Sequence, residues 1–130
     1  MKFVYLGLEE ILRLHFQVIE DFGGSHGVRD EGRLQSVVAA PKQVVFGVEQ
    51  YITVYEKAAV YIRNIIGDHP FVDGNKRTGL TVAAIFLRRN QTKFTANPKE
   101  LEDFTVKIAT DHLSIKEIAK WLEEHCEQVT

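Results

Sequence analysis

Apolar residues recur at helical spacing along most of the chain. Leu8, Ile11, Leu12, His15, Val18, Ile19 and Phe22 fall three or four residues apart, which predicts an amphipathic helix that stops at Gly23-Gly24. A loop over 23–29 follows. Asp30 is placed to N-cap a second helix that turns Leu34, Val37 and Val38 inward and ends near Pro41. A third stripe, Tyr51, Val54, Tyr55, Ala58, Ala59, Ile62, Ile65 and Ile66, is closed by Gly67. A fourth helix begins just after Asp73 and is apolar almost all round through Leu80, Ala83, Ala84, Ile85, Phe86 and Leu87, with Asn90 as its stop. That pattern predicts a buried central helix. Asn97-Pro98-Lys99-Glu100 and Ser114-Ile115-Lys116-Glu117 are start signals for two more. The last helix is expected to bury Ile115, Ile118, Ala119, Leu122 and Cys126.

Two segments depart from this rhythm. Met1 to Leu6 reads as a short strand or an extended arm. Residues 42–50 hold Val44, Val45, Phe46 and Val48 broken by Gly47, which predicts a short hairpin or flap too small to form a sheet core. The fold class is therefore all-α, one compact domain over 1–130, with about six helices and a short β-prone flap.

Composition narrows the function. The chain has 130 residues, 16 Lys and Arg against 18 Asp and Glu, and a net charge of −2, so nothing draws it generally to nucleic acid or an anionic membrane. The lone Cys126 excludes an internal disulfide and suits a reducing cytoplasm, the expected location. The N-terminus turns polar too soon for a signal peptide, and no apolar run has membrane-spanning length. The 113–122 segment has the look of the first helix of a helix-turn-helix, but the acidic tail after it offers no recognition helix. The spacing of His112, His125 and Cys126 matches no zinc pattern, and no Walker pattern is present.

The chemistry concentrates in residues 69–77, His-Pro-Phe-Val-Asp-Gly-Asn-Lys-Arg. This run is expected to be a loop closing onto a helix N-terminus, where unpaired N–H groups and the helix dipole face an anion. Lys76 and Arg77 in a first turn oppose that dipole, and a bound polyphosphate would resolve the conflict. Asp73 suits Mg²⁺, which takes one or two carboxylates together with phosphate oxygens. His69 can take a proton from an attacking hydroxyl. Phe71 is expected to anchor the loop in the core, and Gly74 and Asn75 to offer backbone N–H groups. Taken singly, each residue has an ordinary reading as cap, turn or solvated side chain. Taken together they describe phosphoryl or nucleotidyl transfer from a Mg²⁺-nucleotide to a hydroxyl.

This run resembles the signature of the Fic/Doc superfamily. His69, Phe71, Asp73, Asn75 and Arg77 match both of its branches. Pro70 and Gly74 are similar to the Fic branch, and Lys76 to the Doc (death-on-curing) branch, where Fic proteins have glycine. The stretch Gly23 to Leu34 and the Phe86–Asn90 end of the fourth helix extend the likeness to essentially the whole chain. The resemblance implies an all-α fold and a toxin of a toxin–antitoxin pair. Such a toxin transfers the γ-phosphate of ATP to a threonine of a translation factor, with elongation factor Tu the expected target and a cognate antitoxin the expected partner. It further implies His69 as base, Asp73 on Mg²⁺, and Gly74, Asn75, Lys76 and Arg77 on phosphates. Val44, Val45 and Phe46 would lie in a flap that aligns a target strand. The alternatives are AMP transfer, as in Fic proteins, and a catalytically weak protein acting through antitoxin binding.

Overall fold

In the computed structural model, which describes residues 2–129, six helices pack around one core. They are α1 (Leu8–Phe22), α2 (Glu31–Ala39), α3 (Val54–Asp68), α4 (Asn75–Arg89), α5 (Pro98–Asp111) and α6 (Ile115–Glu124). A 3₁₀ turn, Ala40–Lys42, follows α2. The expected caps form: Asp30 accepts from Arg33 N–H, and reciprocal capping boxes join Asn97 to Glu100 and Ser114 to Glu117.

The third helix differs from its predicted limits at both ends. It starts three residues after Tyr51, behind a Thr53–Glu56 capping box that the apolar stripe conceals. It runs through Gly67 to Asp68, and His69, in the left-handed conformation at φ 49, caps it. It is also buried at every position from Lys57 to Ile62, more continuously than α4. The centre of the domain is thus the α3–α4 pair. Gly79 lets the two approach closely, since a Cβ there would lie 3.1 Å from Ile66 Cγ1.

Four short strands complete the chain. β1 (Val44–Val45) and β2 (Val48–Glu49) form the expected hairpin, turning through Phe46 at φ 50 and Gly47 at φ 76. Both central residues have positive φ, as a two-residue turn between twisted strands requires. Phe46 stands fully in solvent. β3 (Thr92–Phe94) pairs antiparallel with β4 (Cys126–Gln128), a sheet absent from the sequence reading. Cys126 therefore lies beyond the last helix, half-buried in a strand, and burial pushes its thiol up to about 11. The N-terminal segment is an extended arm over the described residues, and Met1 lies outside them. Asn90 ties this arm to the end of α4, accepting from Val4 N–H and donating to its carbonyl. No described helix is long and apolar enough to cross a membrane.

Candidate active site

The 69–77 run leaves α3 through left-handed His69 and enters α4 through Gly74, at φ 74. Between them the loop is held from three sides. The Asn75 carboxamide closes it from within, accepting from Phe71 N–H at 3.1 Å and donating to the Phe71 carbonyl at 3.0 Å. The 27–30 backbone closes it from outside: the Pro70 carbonyl accepts from Arg29 and Asp30 N–H, and the Gly27 carbonyl from Val72 N–H. Helix α1 supports it from below. His15 stacks on the fully buried Phe71 ring at 3.8 Å and 4°, and its Nε2 lies 2.8 Å from the Asp73 carbonyl.

Each candidate side chain then has a definite setting. The Asp73 carboxylate is exposed and accepts from Gly74 N–H at 2.9 Å and Ser25 N–H at 3.2 Å, one oxygen to each. A carboxylate oxygen has more than one lone pair, so both oxygens keep capacity for a cation. Among the described residues no group of three or more His, Cys, Asp or Glu gathers as a metal cage. One exposed carboxylate beside the N-terminus of α4 fits the donor set of Mg²⁺, which keeps waters and phosphate oxygens in its shell. Gly74 itself packs on α1, and a Cβ there would lie 2.9 Å from Ile19 Cδ1.

Lys76 and Arg77 occupy the first turn of α4, both exposed, and neither forms an ion pair among the described residues. Arg77 lies over the Phe22 ring, its Cζ 3.7 Å from the centroid. The ring supports one face of the guanidinium and leaves its edge N–H groups free. A cavity of about 480 Å³ opens here. Asp73, Gly74, Asn75, Lys76 and Arg77 line one side, and Leu80 with Pro98, Leu101, Glu102, Thr105 and Val106 of α5 the other. It has the size and character of a small-ligand site, mostly apolar with a few convergent charges.

His69 does not line that cavity. It is exposed at the neighbouring one, about 160 Å³, together with Arg63, Ile66, Ile108 and His112. Helix α5 lends residues to both cavities, Pro98 to Val106 in the first and Ile108 and Ala109 in the second, which its cap His112 also lines. His69 and the 73–77 turn thus border two cavities that share the 98–112 segment as a wall. Val44, Val45 and Phe46 line neither cavity and stand exposed on the hairpin.

Comparison with known proteins places the chain in a family. The family model described as "Fic/DOC family" matches residues 5–87, from the N-terminal arm through α4. The chain belongs to the Fic/DOC family. Among its relatives, "Protein kinase doc" of Escherichia phage P1 is 35% identical over 118 residues, 91% of this chain and 92% of the relative. "Toxin Doc" of Mycolicibacterium smegmatis (strain ATCC 700084 / mc(2)155) is 37% identical over 100 residues, 75% of this chain and 77% of the relative.

Within this family member, several residues outside the motif shape the site. His15, read as a satisfied helix residue, is satisfied by the motif itself. Phe22, Gly24, Arg29 and Glu102 drew no site assignment from the sequence. Gly24 sits against Asp73, where a Cβ would come 2.8 Å from Oδ2. Arg29 donates to the His69 carbonyl at 2.6 Å and the Asp68 carbonyl at 2.8 Å. His26 turns away from the site, pairing with Glu20 at 2.8 Å and stacking on Phe16. Only the Gly-Gly and Arg-Asp punctuation of residues 23–30 hinted that this stretch mattered.

Proposed function

We propose that this chain is the toxin of a toxin–antitoxin pair and a protein kinase, transferring the γ-phosphate of ATP to a threonine hydroxyl of a translation factor. Elongation factor Tu is the expected target. The observation that carries the reading is Lys76. Its side chain rises from the first turn of α4 into the wall of the 480 Å³ cavity, between Asn75 and Arg77. Glycine at that position would leave room for phosphates lying flat on the helix N-terminus. A lysine fills that room and adds a charge, which favours a nucleotide whose terminal phosphate faces the acceptor. One relative is named a protein kinase, which supports this choice, and the other is named a toxin.

The residues divide the work. Backbone N–H groups of the first turn of α4 lack intrahelical acceptors and would face a phosphate bound there. The Asn75 side chain is committed to the loop, so Asn75 contributes through its N–H. Lys76 and Arg77 neutralise phosphate oxygens. Asp73 would hold Mg²⁺, which supplies charge neutralisation on the phosphates when bound. The apolar wall of Leu80, Leu101 and Val106 accommodates the nucleoside. The acceptor enters beside His69. Its oxygen forms a bond to the γ-phosphorus as the bond to the β–γ bridging oxygen breaks. ADP leaves, and the hydroxyl proton passes to the His69 imidazole. The 44–49 hairpin offers a free edge on which a target strand can align. A cognate antitoxin covering the site is the expected inhibitor.

The test uses ATP labelled at α or at γ, with Mg²⁺ and purified elongation factor Tu. Label from γ alone is expected. Label from α alone would establish AMP transfer instead, the reading that Pro70 and Gly74 favour. Transfer from neither position, together with a His69→Ala protein as toxic to cells as the parent, would leave only a binding role.

A further inference from the structure

Lys57 is the most unusual charged residue in the fold. It has no exposed surface, although lysine is almost never fully buried without a partner. Its ammonium stands where four parts of the chain meet. It belongs to the first turns of α3. It donates to the Pro41 carbonyl, at 3.0 Å, in the turn that leads into the hairpin. It lies 3.7 Å from Glu49 Oε1, on the strand that leads out. The Phe3 and Tyr5 rings of the N-terminal arm lie 5.1 and 5.4 Å away, within cation–π range.

The hairpin has little else to hold it. All four strand residues are exposed, so no apolar face packs it onto the body. Gln50 N–H to the Gln43 carbonyl, 3.0 Å, closes its base. A two-stranded hairpin without a packed face is marginal in water. Lys57 grips the segment just before the hairpin through a carbonyl and its outgoing strand through a carboxylate.

We propose that Lys57 is a positioning residue for protein-substrate recognition: it fixes the base of the 44–49 hairpin to α3, so that the free edge is presented in one orientation to a target strand. The inference rests on the hairpin being the target-docking element, and its test separates the two ideas.

The variants are Lys57→Met, which keeps length and loses charge, and Lys57→Arg, which keeps charge. In Lys57→Met, amide exchange at Gln50 accelerates about tenfold or more while the α3 amides from Val60 to Ile66 keep their protection. The KM for the protein substrate rises about tenfold, with kcat and the KM for ATP moving less than twofold. Lys57→Arg restores both. Folded Lys57→Met with unchanged exchange at Gln50 overturns the proposal. Should Lys57→Met fail to fold, Glu49→Gln on the exposed strand is the second arm. Faster exchange at Gln50 supports the proposal there and unchanged exchange overturns it. A loosened hairpin with an unchanged protein-substrate KM upholds Lys57 as the hairpin's anchor and removes the hairpin from target docking.

Discussion

Arg29 donates its Nε–H to the main-chain carbonyl of His69 at 2.6 Å, so the residue proposed as base is held through its backbone by a side chain forty positions away. The same guanidinium reaches the Asp68 carbonyl at 2.8 Å, and Arg33 reaches that carbonyl at 2.9 Å. These are carbonyls at the α3 C-terminus, where intrahelical donors run out and cations are favourable. Left-handed backbone at a non-glycine residue is uncommon and needs such support. Arg29→Ala is therefore expected to lower kcat about 10- to 100-fold with a small change in ATP affinity, and to cost about 1 kcal/mol of stability. Single-turnover kinetics with equilibrium ATP binding checks it. A loss confined to ATP binding would place Arg29 with the nucleotide instead.

Phe22 makes a separable contribution. Its ring is exposed and lies 3.7 Å from Arg77 Cζ, which ties the guanidinium to the end of α1. Cation–π contacts at exposed sites are worth about 0.5–1 kcal/mol, so Phe22→Ala should weaken ATP binding about two- to sixfold. Phe22→Tyr should keep it. Isothermal titration with a non-hydrolysable ATP analogue distinguishes these outcomes, and an unchanged affinity in Phe22→Ala would show that the stack does not orient Arg77 for phosphate.

The local grammar of the chain made the helices readable, and its long-range contacts were not. Asp30, Asn97 and Ser114 each cap within three residues of themselves, so their signals are complete in a short window. Thr53 and Glu56 carry the same signal, but Tyr51 before them extends the apolar stripe and hides the start. The β3–β4 pair joins residues more than thirty positions apart and carries no local turn. In the site, motif spacing named Asn75 but could not show that its carboxamide folds back onto Phe71. Nor could it show that Lys57, one polar position inside an apolar stripe, points into the protein.

Gly24 bears on Asp73, the proposed Mg²⁺ ligand. It sits at φ 113, and a Cβ would meet Asp73 Oδ2 at 2.8 Å and Ile19 Cδ1 at 3.3 Å. Gly24→Ala is expected to cost roughly 1–3 kcal/mol from backbone strain and to push the Asp73 carboxylate off its Ser25 N–H. The Mg²⁺ concentration for half-maximal transfer should rise, with ATP-free stability measured in parallel by urea unfolding. Gly7→Ala is the control, because a Cβ there meets nothing within 4 Å and φ is negative. A Gly24→Ala protein with parental Mg²⁺ dependence would separate Asp73 from the metal.

His15 ties this site to pH. Burial lowers its pKa below the ordinary 6.5, outweighing the opposing effect of the Asp73 carbonyl. With Nε2 at 2.8 Å from that carbonyl, the neutral imidazole donates there while its face covers Phe71. The sign of the stability effect follows from proton counting. Above pH 6.5 both folded and unfolded chains hold His15 neutral, and it adds no pH dependence. As pH falls through 6.5 the unfolded chain takes the proton first, so stability drops until the folded pKa is passed. His15→Gln keeps an N–H donor and cannot titrate. It should be less stable at about pH 7.5, by roughly 1–2 kcal/mol for the lost stacking, and should lose less than the parent between about pH 7 and 5. Urea unfolding of both proteins across that range gives the difference, and the imidazole proton shift of His15 gives its midpoint directly. A midpoint at or above 6.5, or parallel stability profiles for the two proteins, would mean that burial does not hold the His15 imidazole neutral in the folded chain.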